Sequence, residues 1–126
     1  VVIVGILFPG NEALAAAAAF LGHCYPLWLK FHGGKGVATL MGIVLALHWP
    51  IALIYAVLWL GLLATLRISS VAGMVAAIST PVTAAWFGRF DLVLLLLALA
   101  LITVWKHRAN IDRLISGEEP RVGGAK

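Results

Sequence analysis

The chain consists of long, continuous apolar runs separated by short groups of glycine, proline and charged residues. Because the apolar positions are consecutive and do not alternate with a period of two, they predict helices and not the strands of a barrel. At roughly 20 residues per span, they predict an all-α polytopic helical bundle with about five membrane spans. The runs are Ala13–Trp28, Val37–Leu47, Ile51–Leu66, Val71–Phe87 and Leu92–Trp105.

The first residues, Val1–Phe8, are too short to cross a membrane and predict a partial N-terminal helix that ends at Pro9–Asn11. We expect the beginning of this helix, and an N-terminal part of the protein, to lie before Val1. Asn11 is predicted to cap the next helix. Residues 1–126 are expected to form a single transmembrane helical domain in which residues 117–126 are a mobile tail.

Composition places this bundle in a membrane. Hydrophobic residues make up 63% of the chain and charged residues 11%, whereas a soluble domain is roughly half apolar and about a quarter charged. The net charge of +4 comes from scattered basic residues, so no nucleic-acid partner is expected. Cys24 is the single cysteine, and no histidines or carboxylates have metal-ligand spacing, so neither an intrachain disulfide nor a metal site is expected.

The apolar stretch from Val37 to Leu66 is interrupted at His48–Pro50, and the charge distribution decides whether the chain turns there. A turn leaves Arg89 alone on one side and places the other basic residues named here together: Lys30, Lys35, Arg67, Lys106, Arg108, Arg113, Arg121 and Lys126. Cytoplasmic loops are enriched in Lys and Arg, so the turn is predicted and the basic side is cytoplasmic. Val37–Leu47 is then short for a span, and a tilted, mismatched or partly re-entrant path stays open.

Within Phe31–Thr39, the string Gly33-Gly34-Lys35-Gly36 is typical of a phosphate-binding loop. Glycine amides can approach an anion closely, the ammonium group of Lys35 adds positive charge, and a helix that begins near Gly36 points its positive dipole end at the same place. The loop is not of the Walker A type, because Gly36 stands where Ser or Thr should follow the lysine. A flexible interfacial turn explains the same residues, and both interpretations stay open.

A second polar cluster lies in the C-terminal segment. On a helix, His107, Asn110 and Arg113 share one edge that can bind phosphate. A basic helix resting on anionic lipid is the alternative, although the predicted topology places this edge on the same side as Lys35. His107 and Asp112 have the H-x-x-x-x-D spacing of one class of glycerolipid acyltransferases, in which Asp orients a His base, but residues five apart lie about 140° apart around a helix. We therefore expect Asp112 to pair with Arg108 instead.

His23 and the pair Ser69 and Ser70 have two interpretations each. His23 can bind phosphate or pack at the membrane interface, and Ser69 and Ser70 can bind a ligand or cap a helix. Ser79-Thr80-Pro81 predicts a kinked span in which a hydroxyl satisfies the carbonyl that proline frees. Asp91 is predicted to cap the last span.

Four separated motifs occur along the chain in this order: Gly22-His23-x-x-Pro26; Lys30-Phe31-His32-Gly33-Gly34-Lys35-Gly36-Val37-Ala38-Thr39; Arg67-x-Ser69-Ser70; and His107-Arg108-x-Asn110-Ile111-x-Arg113-Leu114-x-x-Gly117-x-Glu119. Together they resemble the bacterial PlsY family. The resemblance implies a seven-helix inner-membrane enzyme with cytoplasmic active-site loops. It implies acyl transfer from acyl phosphate to the 1-hydroxyl of glycerol 3-phosphate, which gives 1-acyl-glycerol 3-phosphate for phospholipid synthesis, and it implies no cofactor.

The family has three cytoplasmic motifs, of which Gly33–Thr39 and His107–Glu119 are two. The remaining motif, a Gly/Ser/Asn-rich loop near the family's N-terminus, has no counterpart in this chain, so activity of these residues alone is in question. A transporter or a lipid-binding scaffold with an interfacial phosphate loop is the alternative function.

The expected site combines both motifs with membrane lipids around it. Lys35 and the Gly33–Gly36 amides would hold one phosphate, and His107 and Asn110 would orient glycerol 3-phosphate. The remaining candidates for phosphate or substrate binding are His23, Thr39, Ser69, Ser70, Arg108 and Arg113, with Glu119 fixing a basic neighbour. The group that accepts the hydroxyl proton is either His107 or a substrate phosphate.

Overall fold

The computed structural model describes residues 1–24 and 36–120. These contain seven helices and no strand, which confirms the predicted all-α architecture. The helices are α1 Val2–Leu7, α2 Glu12–Cys24, α3 Val37–Leu47, α4 Trp49–Leu66, α5 Ser69–Trp86, α6 Phe90–Lys106 and α7 Arg108–Ser116.

Helix α5 lies at the centre of the bundle and packs against α4, α6 and α3. Most of its buried residues are small, and they include Ala72, Gly73, Ala76, Ala77 and Ala84. Small residues let helix backbones approach closely, which is how helices associate where water supplies no hydrophobic driving force. Helix α2 covers the other side of α3 and also packs on α6.

The outer surface of the bundle carries large apolar side chains, such as Trp86 at 84% and Leu94 at 79% exposure. Among the described residues, one helix, Trp49–Leu66, is by itself long and apolar enough to cross a bilayer, and the bent pair α6 and α7 counted together adds a second. Helix α3 has 11 residues and is about 16 Å long. The predicted number of spans therefore stays a prediction.

The chain turns at His48, as the distribution of basic residues predicted. His48 has extended backbone angles, and α4 starts at Trp49 with Pro50 in its first turn. The turn before α6 lies at the same end of the bundle, because Arg89 Nη1 is 3.3 Å from His48 Nδ1. At the opposite end, Lys106 Nζ donates to the Cys24 carbonyl at 3.1 Å. We call this second end the His107 end, and it is the end where the topology argument placed Lys106.

Neither predicted cap forms through its side chain, although Asn11 stands at the N-cap position of α2, where its carbonyl accepts the Ala15 N–H at 3.0 Å. The Asn11 side chain donates to the Phe8 carbonyl at 3.3 Å, which ties it to the turn before α2. Helix α6 begins at Phe90, so Asp91 lies within its first turn and pairs with Arg89 at 3.0 Å. In both cases the side chain pairs with a group that precedes the helix: the Phe8 carbonyl for Asn11 and the Arg89 guanidinium for Asp91.

The prediction for the proline in α5 is confirmed in its hydrogen bonding. Pro81 has no N–H, so the carbonyl of Ala77, four residues earlier, loses its helical donor. The buried Thr80 hydroxyl donates to that carbonyl at 2.7 Å. Helix α5 therefore continues through the proline.

The start of α3 is held by three other helices. Gly36 has φ +93°, and a Cβ atom there would lie 2.5 Å from the Phe20 ring and 3.2 Å from Cys24 Sγ. The next residue, Val37, packs on Gly73 of α5, and its carbonyl accepts a 2.7 Å hydrogen bond from the Tyr55 hydroxyl of α4. We call Gly36 and Val37 the α3 anchor.

We expect Gly73→Ala to destabilise the bundle, because a Cβ at Gly73 would lie 2.7 Å from Val37 Cγ2. Overpacking of this kind costs about 1–3 kcal/mol, which outweighs the gain of up to about 1 kcal/mol in helix propensity. Thermal unfolding in detergent measures the effect. Gly61→Ala in α4 is the matched control, since a Cβ at Gly61 meets nothing within 4 Å; an equal effect of both substitutions would contradict the tight contact at Gly73.

Candidate active site

Four of the predicted site residues line one cleft at the His107 end. The cleft has a volume of about 260 Å³ and is lined by Ser69, Ser70, His107 and Asn110, with Val37 and Trp59 as its apolar walls. It therefore joins the start of α5, the α6–α7 junction, the α3 anchor and the middle of α4.

A break between two helices presents His107 to the cleft. Helix α6 ends at Lys106, α7 begins at Arg108, and their axes are bent by 55°. The buried His107 ring has Nδ1 2.7 Å from the Thr103 carbonyl. A carbonyl only accepts, so Nδ1 carries the hydrogen, and in the neutral ring Nε2 is the nitrogen with a lone pair. This tautomer suits a group that accepts a proton.

The two serines lie in the first turn of α5, where Ile68 is the N-cap residue. Ser70 is buried, and its hydroxyl donates to Glu119 Oε2. Ser69 is exposed and also lines the cleft. Helix capping is therefore not the role of the Ser70 side chain.

The carboxylate of Glu119 joins three side chains around the cleft. Ser70 Oγ and Asn110 Nδ2 donate to Oε2, the latter at 2.8 Å, and Arg113 Nε donates to Oε1 at 2.7 Å. The Glu119 side chain is only 5% exposed. We call this set the Glu119 brace; Arg113 is the basic neighbour that was expected for Glu119.

The brace makes Glu119 strongly acidic. Burial disfavours the charged form and raises the pKa, but the hydrogen bonds from Ser70, Asn110 and Arg113, with the charge of Arg113, outweigh burial and lower the pKa of Glu119 to about 2. The carboxylate is therefore ionised throughout the physiological range and works as an acceptor.

Arg108 lies away from the brace, and its predicted pairing with Asp112 is wrong. The Arg108 guanidinium stacks 4.6 Å from the centre of the Trp105 ring and donates to the Trp105 carbonyl at 3.0 Å. Within the described part of the chain, no salt bridge joins Arg108 to Asp112. Asp112 is exposed whereas His107 is buried, so the arrangement is unlike a His–Asp catalytic pair.

The remaining predicted site residues do not line the cleft or lie outside the described residues. His23 is exposed at the end of α2. Thr39 lines a different groove of about 370 Å³ between α1 and α3, so it is not brought to the cleft. Gly36 lies in the α3 anchor, and Gly33, Gly34 and Lys35 lie outside the described residues. In residues 1–24 and 36–120, no three His, Cys, Asp or Glu side chains are placed to hold a metal ion.

Sequence reasoning did not find Trp59, and it included Val37 only as part of the Gly33–Thr39 motif, without a role; both residues form the apolar walls of the cleft. Trp59 lies inside a continuous apolar run, where one large side chain resembles the next. For Val37 the signal was its place directly after the glycine loop.

Comparison with known proteins places these features in a family. A glycerol-3-phosphate acyltransferase family model matches residues 1–117. A glycerol-3-phosphate acyltransferase of Novosphingobium aromaticivorans is 59% identical over 124 residues, covering 98% of this chain and 63% of that protein. One of Dinoroseobacter shibae is 50% identical over 127 residues, covering 99% of this chain and 63% of that protein. The chain thus spans slightly under two thirds of the length of these relatives.

The fold is similar to that of PlsY, an integral membrane glycerol 3-phosphate acyltransferase, in the crystal structure of its glycerol 3-phosphate form. The TM-score is 0.89 at 32% identity, with 97% of this chain and 63% of that chain covered. The lysophosphatidic acid form gives a TM-score of 0.88. The predicted class of integral membrane protein and the predicted family are both confirmed. With a family model that covers nearly its whole length, the chain belongs to the glycerol-3-phosphate acyltransferase family.

Proposed function

We propose that the protein transfers an acyl group from acyl phosphate to the 1-hydroxyl of glycerol 3-phosphate and so produces 1-acyl-glycerol 3-phosphate. The names of its relatives support the acceptor. PlsY has been crystallised in glycerol 3-phosphate and lysophosphatidic acid forms, which are the acceptor and the product of this reaction.

The cleft at the His107 end is the observation that carries the proposal. It gathers hydrogen-bonding side chains from two distant segments, Ser69–Ser70 and His107–Asn110, beside the α3 anchor that directly follows Lys35. Its other walls, Val37 and Trp59, are apolar. A cleft that is polar on one side and apolar on the other suits a substrate with a phosphate head and an acyl chain.

Bringing two phosphate-bearing substrates together requires positive charge and hydrogen-bond donors. We assign one phosphate to Lys35 and the Gly33–Gly36 amides, and the orientation of glycerol 3-phosphate to His107 and Asn110. As the 1-hydroxyl attacks the acyl carbonyl, a carbon–oxygen bond forms and the bond from the acyl carbon to the phosphate oxygen breaks. The proton passes to His107 Nε2 or to a substrate phosphate. Because phosphate is already a leaving group, no acyl-enzyme is needed.

In this proposal the Glu119 brace orients the site. It fixes the Asn110 amide and the Ser70 hydroxyl through one carboxylate, so these side chains keep one arrangement before the substrate arrives. Arg113 then acts through Glu119, and Arg108, stacked on Trp105, contacts the membrane surface and not the reacting groups.

The proposed location is the bacterial inner membrane, with the His107 end on the cytoplasmic side. The basic residues Lys106, Arg108 and Arg113 at this end and Arg89 at the other support this orientation through the excess of Lys and Arg in cytoplasmic loops. The single transmembrane domain and the surrounding membrane lipids belong to the same proposal.

The direct test uses membranes that contain the protein as its gene encodes it. With long-chain acyl phosphate and glycerol 3-phosphate, we expect equal amounts of inorganic phosphate and 1-acyl-glycerol 3-phosphate, and no phosphate release when glycerol 3-phosphate is omitted. Binding of both compounds without turnover would instead support a lipid-binding scaffold.

Substitution of the glycine-loop lysine, Lys35→Ala, is expected to lower acyl transfer at least 100-fold. Its ammonium group would stabilise charge that develops as the phosphate leaves, and removing one such group typically costs about 10²–10³ in rate. The amount of protein in the membrane should not change. Arg89→Ala, which removes one positive charge at the other end of the bundle, is the matched control and should keep the parent rate. Equal rates for Lys35→Ala and Arg89→Ala would overturn the assignment of Lys35.

The Glu119 brace predicts a defined dependence of stability on pH. Glu119 has a pKa of about 2 in the folded protein against an ordinary value of 4.5, so its ionised form stabilises the fold fully above pH 4.5. That contribution is lost as the pH falls towards 2. We expect Glu119→Gln to lower the melting temperature at pH 7, and the difference from the parent to shrink between pH 4.5 and pH 2.

The neighbouring Glu118 is exposed and supplies the control for the loss of one negative charge. Glu118→Gln should leave the melting temperature at pH 7 close to that of the parent. A difference between Glu119→Gln and the parent that stays constant from pH 7 to pH 2 would show that the ionised carboxylate is not the stabilising group.

A further inference from the structure

We propose that Tyr55 is a positioning residue for the phosphate-binding end of α3, and that its hydroxyl acts through the α3 anchor on substrate binding. This inference deepens the proposed function and depends on it. It rests on one buried hydrogen bond that joins α4 to α3, described above, and on the place of its acceptor in the chain.

Tyr55 is a polar group in an otherwise apolar core. The side chain is 1% exposed, and its neighbours on the inner face of α4, Ile51 and Ala52, are also buried. A hydroxyl at such a position costs free energy unless it is hydrogen-bonded, and its acceptor here is the Val37 carbonyl at 2.7 Å. Phenylalanine would fill the same space without that requirement, so the hydroxyl points to a role beyond packing.

The acceptor lies at the first residue of α3, directly after Gly36. The Val37 carbonyl and the Ala38 N–H belong to one planar peptide unit, so a hydrogen bond to the carbonyl also fixes the direction of that N–H. The first N–H groups of a helix have no acceptor within the helix and are natural donors to an anion. Ala38 is an exposed residue, and its N–H is one of these first donors.

Packing holds the α3 anchor on its other sides. Phe20 confines Gly36, and Gly73 confines the Val37 side chain. Within α3 the Val37 carbonyl is also placed to accept the Met41 N–H, so the Tyr55 hydroxyl is a second donor that ties this carbonyl to α4. Without that hydroxyl the anchor keeps its packing and its helical hydrogen bond, but its rotation relative to α4 is no longer fixed.

The helix that carries Tyr55 also contributes a wall of the cleft. Trp59, one turn after Tyr55 on α4, is a wall of the cleft, as is Val37 itself. A change in the rotation of the α3 anchor relative to α4 therefore changes the shape of the cleft as well as the direction of the Ala38 N–H. A misplacement of about 1 Å in an active site can cost about 100-fold in rate.

The test compares Tyr55→Phe with Thr80→Val in the protein as its gene encodes it. Each substitution removes one buried hydroxyl that donates to a backbone carbonyl at 2.7 Å. Thr80 lies ten residues beyond Ser70 on α5, about 15 Å along the helix axis, so its loss should not reach the cleft. Melting temperatures with and without glycerol 3-phosphate, together with KM and kcat for both substrates, are measured for each variant.

In the absence of ligand we expect both variants to melt below the parent, and Thr80→Val at least as low as Tyr55→Phe, because it leaves the Ala77 carbonyl without its donor. Tyr55→Phe should raise the KM for a phosphate substrate about tenfold or more and should reduce the rise in melting temperature that glycerol 3-phosphate produces. Thr80→Val should keep both at the parent values. Replacement of Tyr55 by 4-aminophenylalanine, which restores a hydrogen-bond donor, should recover most of the binding.

Equal ligand-induced rises and equal KM values for Tyr55→Phe, Thr80→Val and the parent would overturn the role of Tyr55. The ligand-induced rise is compared within each variant, so it decides the question even if Tyr55→Phe is less stable than expected. A parent protein that shows the ligand-induced rise but no acyl transfer would contradict the proposed function alone.

Discussion

Polar groups inside an apolar bundle have to be satisfied by the protein itself, and this constraint accounts for many of its side-chain hydrogen bonds. The hydroxyls of Thr80, Thr83 and Thr103 all donate to carbonyls of their own helices. In the part of the chain that the structure describes, no buried side-chain nitrogen or oxygen lacks a partner. Groups that one helix cannot satisfy are bonded across helices: the Tyr55 hydroxyl donates to α3, and the Glu119 brace joins α5, α7 and the segment after α7. The cleft lies beside the brace.

The brace also explains how flexible side chains can form a defined site. An asparagine amide can face either way, because its oxygen and nitrogen have nearly the same shape. The carboxylate of Glu119 only accepts at neutral pH, so Asn110 must turn its nitrogen towards it. The orientation of the Asn110 amide is thus determined by Glu119, which lies nine residues further along the chain. Precision at the cleft comes from neighbouring residues as much as from the side chains that line it.

Local features of the sequence predicted much of the fold. Continuous apolar runs gave the helices, His48–Pro50 gave the turn, and Thr80 beside Pro81 gave a hydrogen bond that involves only neighbouring residues. Features that depend on distant partners were not predictable in this way. The side-chain caps predicted for Asn11 and Asp91 do not form, because each side chain pairs with another polar group in the folded chain. Trp59 carries no local sign that it borders a cleft, and no proline or glycine marks the 55° bend at His107.

The contact between the start of α3 and the end of α2 has a consequence for how the protein can change. A Cβ at Gly36 would lie 2.5 Å from the Phe20 ring and 3.2 Å from Cys24 Sγ, so the side chains of α2 leave no space for a larger residue at this position. Substitutions at Phe20, Cys24 and Gly36 therefore have to be compatible with one another, and the end of α2 and the start of α3 can change only together.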